Sequence, residues 1–138
     1  MAIVITGTGA SIPGQRVSND ELAARVETTD EWIRSHTGIG ARRFAADGKV
    51  TSDLGAEAAI AAMKKAGKSP EDIDLIVVAT ASPDYFAFPS TACIIQDKLG
   101  AVNAAALDVN AGCTGFIYGR SEERRVGKEG RSRLSRYD

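Results

Sequence analysis

Histidine is almost missing from this 138-residue chain: His36 stands alone, and cysteine occurs only at Cys93 and Cys113. Such a set cannot furnish a tetrahedral zinc site, so no metal is expected. The two cysteines could pair in principle, but nothing points to secretion, and a cytosolic chain keeps them reduced. No apolar run approaches the length of a membrane span. The opening MAIVITGTGASIPG lacks a basic lead-in and its apolar run stops at Gly7, so it does not read as a secretory signal. A cytoplasmic chain, unattached to membrane, is the expectation. There is no internal repeat. With 43% hydrophobic residues, 25% charged residues and a net charge of −1, the composition is that of an ordinary soluble protein. Its length suits one domain or one half of a larger one.

Strand and helix signals alternate along the chain. Residues 2–6 form a β-branched run suited to a buried strand, ended by Gly7-Thr8-Gly9. A dinucleotide fingerprint would require a third glycine where Ile12 stands, so a turn of small residues is the better reading. Ser18 or Asn19 can cap a helix through Val26, with Asp20 and Glu21 in its first turn. Thr28 and Glu31 have capping-box spacing for a brief helix over 30–35, which carries Trp32 beside Ile33. Arg42 and Arg43 follow a glycine-rich loop and read as solvated surface. The longest helix runs from Thr51 or Ser52 to about Ala66. Its many alanines suit close packing on more than one side, inside a layered fold.

Ser69-Pro70 starts a helical turn, and Leu75 to Ala79 is an apolar strand of central-sheet type. Residues 80–87 form a loop with Pro83 and Asp84 as turn residues. Phe86 and Phe88 either fill core space or line a pocket. Pro89 opens a helix over 90–99. This alternation argues for a layered α/β fold with a mixed sheet.

Residues 104–119, AAALDVNAGCTGFIYG, organise the rest. An apolar strand ending at Val109 is turned by Asn110, Ala111 and Gly112, and Cys113 then opens a helical segment of small and apolar residues. A cysteine in the first turn of a helix faces unpaired N–H groups and the positive end of the dipole, which favour thiolate. Such a sulfur is either a nucleophile or one more small buried hydrophobe.

Five segments carry a resemblance: GTGASIPG near the start, TTDEWIRSHTGI at 28–39, LIVVATASPD at 75–84, FPSTACIIQDKLG at 88–100 and ALDVNAGCTGFIYG at 106–119. In this order and spacing, residues 1–119 resemble the N-terminal part of the beta-ketoacyl-[acyl-carrier-protein] synthase III family. The resemblance implies the thiolase fold, of which this would be the N-terminal half only, and a homodimer. It implies the initiating condensation of type II fatty acid synthesis. An acyl group, acetyl by expectation, passes from acyl-CoA to Cys113, and decarboxylative Claisen condensation with malonyl carrier protein follows. The CoA thioester is a substrate, and no cofactor is implied. The partnering histidine and asparagine would lie outside this chain, since His36 falls in the segment that resembles the CoA-binding region. Trp32 matches a tryptophan that stacks on the CoA adenine, and Thr28 a polar contact nearby. His36 stands where well-known members have arginine. Phe88 matches a residue that walls the acyl pocket of the dimer partner. Asp108 reads as structural. Type III polyketide synthases and hydroxymethylglutaryl-CoA synthase share the fold and the cysteine, but the segments TTDEWI and DVNAGCTGF favour synthase III.

Residues 120–138 break the pattern. Seven basic and four acidic residues stand there without an apolar face, against ten basic and fourteen acidic residues in 1–119. This stretch reads as a disordered, non-cognate tail on a truncated half-domain. Interrupting acidic residues and the lack of an aromatic platform argue against a nucleic-acid-binding arm. The alternative to the enzyme is therefore an inactive fragment with at most partial CoA binding.

Overall fold

The computed structural model describes residues 4–122. They cluster into two compact units, one made of residues 11–50 and the other of residues 4–10 and 51–122. The charged stretch beyond 122 lies outside the described residues.

The smaller unit is a two-stranded antiparallel sheet with two short helices. Strand β1, Gln15–Ser18, pairs with β2, Ala41–Phe44, with Val17 opposite Arg42. Between them lie α1, Asn19–Ala23, and α2, Asp30–Thr37. Ser18 caps α1 through a reciprocal pair with Glu21: its hydroxyl accepts from the Glu21 N–H, and its own N–H donates to the Glu21 carboxylate at 2.7 Å. The helix ends early, at Ala23 rather than Val26.

The cap of α2 is Thr29, not Thr28. Thr29 is extended (φ −137°, ψ 158°) and its side chain accepts from the Trp32 N–H at 3.1 Å. Thr28 therefore makes no capping box with Glu31. Its Oγ1 is buried with no hydrogen-bond partner. The helix also runs two residues beyond Ser35, to Thr37, where Gly38 takes the left-handed conformation (φ 71°) that closes many helices.

In the larger unit, β3, Leu75–Ala79, and β4, Ala105–Val109, form a parallel pair, with Ala79 opposite Val109. Helices α3, Thr51–Ala66, and α4, Thr91–Leu99, pack on one another, and α4 lies against both strands. The core gathers where they meet: Ala56, Ala92, Ile95, Ala101 and Ala104 are buried. Residues 4–10 form no strand, contrary to the β-branched pattern of 2–6. A strand needs a hydrogen-bonded neighbour, and among the described residues β3 and β4 pair only with each other. The segment instead lies along α3, where Gly7 and Gly9 abut Ala62 and Ala58. The alanine-rich face thus admits the close approach its composition suggested. The mixed sheet of the sequence reading is, among the described residues, two separate two-stranded sheets.

Helical structure over 115–122 continues past Gly119, so the charged stretch begins in a helix, through Glu122 at least. No helix of the described residues is long and apolar enough to cross a membrane.

Candidate active site

Parallel strands end together, and the chain leaving them must turn at one edge of the sheet. Here β4 ends at Val109, whose carbonyl accepts from the Thr80 N–H at 3.2 Å, and the chain bends at Asn110 and Ala111. Gly112 has φ +51°, a conformation that side chains disfavour. A single 3-10 turn, Gly112–Thr114, follows, braced by the Thr114 hydroxyl and N–H, both donating to the Ala111 carbonyl. Cys113 sits within this turn, immediately before the helix over 115–122, and its side chain is exposed. It is not the small buried hydrophobe that most unreactive cysteines are. Its sulfur is accessible at the start of that helix. At Gly115 a Cβ would stand 3.3 Å from that of Ala79, so glycine lets the helix pass close over β3.

Asp108, just before this turn, is held by the backbone of α4. Its two oxygens accept from the N–H groups of Thr91 and Ala92, each at 2.8 Å, and so cap α4 from the neighbouring strand. Ser90 completes the cap by accepting from the Cys93 N–H. A second carboxylate does the same for α3: Asp84 accepts from the buried Ser52 N–H at 3.0 Å, while its own N–H donates to Thr91 Oγ1. The sequence reading had Asp84 only as a turn residue. An aspartate placed after proline and ahead of α4 was the signal available.

Loop residues 80–90 border a concavity of about 740 Å³ whose walls include Phe86, Phe88, Tyr85, Asp108 and Asn110. Phe86 and Phe88 are almost wholly exposed. They do not fill core space among the described residues. Cys93 also lines this concavity and is exposed. The larger unit thus carries both Phe88 and Cys113.

The remaining candidates fall in the smaller unit, on α2. Trp32 is 57% exposed, and its ring stacks on His36 with centroids 4.3 Å apart and planes 22° from parallel. His36 Nδ1 lies 2.8 Å from the Trp32 carbonyl oxygen, which makes this nitrogen the donor and leaves Nε2 outward. Trp32 and His36 lie one helical turn apart on α2, and Thr28 precedes its cap.

Beneath them is a polar cluster that the sequence reading missed. Arg42, read there as solvated, donates to the carbonyls of Val17 and Ser18 and, at 2.6 Å, to Asn19 Oδ1. Asn19 is 1% exposed and donates to Asp30 at 2.7 Å and to the Ile39 carbonyl at 2.8 Å. Asp30 also pairs with Arg34 at 2.8 Å. The Asn19 amide, followed by Arg34, holds the Asp30 carboxyl below the usual aspartate range. An asparagine beside a cap serine gave no sequence sign of this burial.

No family model matches the chain. Among curated proteins, the beta-ketoacyl-[acyl-carrier-protein] synthase III of Xylella fastidiosa is 54% identical over 117 residues, covering 85% of this chain and 36% of that protein. The crystal structure of 3-oxoacyl-[acyl-carrier-protein] synthase III from Aquifex aeolicus superposes with a TM-score of 0.85 at 40% identity, over 91% of this chain and 40% of that one. A priming beta-ketosynthase from a polyketide biosynthetic pathway gives a TM-score of 0.79 at 36% identity, over 85% of this chain and 35% of that one. These likenesses define the fold as a piece of a thiolase-like α/β protein, with Cys113 exposed on the turn that follows β4. Within that class the chain is similar to part of the beta-ketoacyl-[acyl-carrier-protein] synthase III proteins. It spans about a third of the length of the curated relatives it matches.

Proposed function

We propose that this chain is the part of a beta-ketoacyl-[acyl-carrier-protein] synthase III that carries the nucleophile and the CoA-binding helix. The observation that supports this most is the exposed Cys113 on the turn that leaves a parallel strand pair. In this reading the Cys113 thiolate attacks the thioester carbonyl of an acyl-CoA, acetyl-CoA by preference, and CoA leaves as its thiolate. The acyl-enzyme then receives the carbanion formed as malonyl carrier protein loses carbon dioxide, giving a 3-oxoacyl product and regenerating the thiol. Dividing the reaction at a covalent intermediate replaces one hard step by two easier ones. A histidine and an asparagine outside this chain would stabilise the developing enolate, an electrostatic task.

CoA enters as a substrate, with no cofactor. The exposed Trp32–His36 stack supports a flat seat for its adenine, since an aromatic face left to solvent is available for stacking. Thr28, beside the cap of α2, would supply a polar contact nearby. Phe88, exposed at the concavity, would wall the acyl pocket of a dimer partner. We place the enzyme in the cytoplasm as a homodimer.

The complete enzyme should convert acetyl-CoA and malonyl carrier protein to acetoacetyl carrier protein with release of carbon dioxide. The 138 residues alone, lacking the histidine and asparagine, should show no turnover. Absence of condensation by the complete enzyme, or turnover by the 138 residues alone, would overturn the reading. The priming ketosynthase likeness favours one second reading, priming of polyketide synthesis. It predicts preference for longer or branched acyl-CoA primers in the same assay.

A further inference from the structure

The helix that carries Trp32 and His36 is poorly anchored by its own packing. Helix α2 has eight residues and a single buried one, Ile33. So short a helix is marginal by itself, and one apolar anchor leaves it free to roll about that contact. What prevents this is Asn19. Its side-chain amide donates to Asp30, the first residue of α2, and to the carbonyl of Ile39, just past the closing Gly38. Its carbonyl oxygen is held by Arg42, which in turn grips the backbone at Val17 and Ser18. One buried side chain thereby ties both ends of α2 to the β1–β2 sheet. A planar amide with its donors and acceptor all engaged has little freedom to reorient.

We propose that Asn19 is a positioning residue for CoA: it fixes the roll of α2 and so the plane that the Trp32–His36 stack presents to the nucleotide. The inference rests on the CoA reading of α2 given above. A bound geometry misplaced by about 1 Å can cost two orders of magnitude, so a side chain that sets such a plane matters without touching the ligand.

Asn19→Asp is the discriminating substitution. It keeps the size of the side chain and the bond to Arg42, but turns an acceptor toward the Asp30 carboxylate and the Ile39 carbonyl. In the complete enzyme it should raise KM for acetyl-CoA about tenfold, the worth of one charge-assisted hydrogen bond, with kcat within about twofold. The double variant Asn19→Asp/Asp30→Asn restores a donor–acceptor pair with the roles exchanged. It should recover much of the KM, with Asp30→Asn alone completing the cycle. KM unchanged in Asn19→Asp, or kcat and KM altered together with no recovery in the double variant, would overturn the proposal. If Asn19→Asp alone fails to fold, the double variant decides: folding with near-normal KM supports the positioning role, and failure to fold refutes it. Trp32→Ala separates the two readings. Should it leave KM unchanged, the CoA reading of α2 falls. Should it raise KM while Asn19→Asp does not, only the role of Asn19 falls.

Discussion

Replacing Asp108 with alanine removes both oxygens that hold the first turn of α4 to β4. A hydrogen bond to a charged acceptor contributes about 1.5–3 kcal/mol, and a carboxylate at a helix N-terminus about 0.3–1 kcal/mol more. The donors belong to Thr91 and Ala92, both wholly buried, so water cannot take over without disrupting the packing. Because the two bonds share one carboxylate they are not independent, and the loss is about 4 kcal/mol rather than the full sum. Asp108→Asn keeps one acceptor but turns an NH2 group toward the other donor, and should cost about half as much. Amide hydrogen exchange reads this at the site itself. Protection of the Thr91 and Ala92 amides should fall about thousandfold in the alanine variant and roughly thirtyfold in the asparagine variant, the equivalents of those energies. Protection held within threefold, accompanied by loss of acyl transfer, would mean that Asp108 serves the chemistry and not the helix.

Trp32→Ala should raise KM for acyl-CoA by roughly 5- to 150-fold, the equivalent of about 1–3 kcal/mol of base stacking, with a smaller effect on kcat; steady-state kinetics checks it. The Asp30 carboxyl lies below its ordinary range in the folded chain, chiefly through Asn19. Its contribution is present above the unfolded-state value and is lost as pH falls through the lower, folded value. NMR titration should therefore place the Asp30 midpoint below that of an unstructured aspartate, and Asn19→Ala should raise it. At Gly9 an added Cβ would stand 2.6 Å from the Ala62 nitrogen and 3.0 Å from Ala61 Cβ, whereas nothing lies within 4 Å at Gly14. Denaturant melts should show Gly9→Ala destabilised by about 1–3 kcal/mol and Gly14→Ala near neutral.

Much of the larger unit was legible because its signals are local. Apolar runs at 75–79 and 105–109, a proline ahead of α4 and glycines behind α3 and α4 each act within a few residues. The structural reading of Asp108 agrees with its place at the head of α4. What sequence did not disclose is non-local. Strands β1 and β2 pair across more than twenty intervening residues, and neither Gln-Arg-Val-Ser nor Ala-Arg-Arg-Phe alternates as a half-buried strand should. Arg42 reads as surface until Asn19 is known to lie beneath it. The described part of the run at 2–6, residues 4–6, departs in the opposite sense, because β-branched residues favour a strand only where a partner strand stands. Residues 2 and 3 lie outside the described residues. Thr28 and Thr29 compete for one cap, and only backbone geometry shows that Thr29 holds it. The Cys113 turn was visible through its glycines, but the exposure of the sulfur was not.

Whether Cys113 is the acyl acceptor is answered most directly by intact-mass measurement after brief exposure of the complete enzyme to acetyl-CoA. The wild type and Cys93→Ala should each gain one acetyl group, removable by hydroxylamine as a thioester is. Cys113→Ala should gain none. An acetyl adduct that persists in Cys113→Ala, or that disappears with Cys93→Ala, would contradict the assignment.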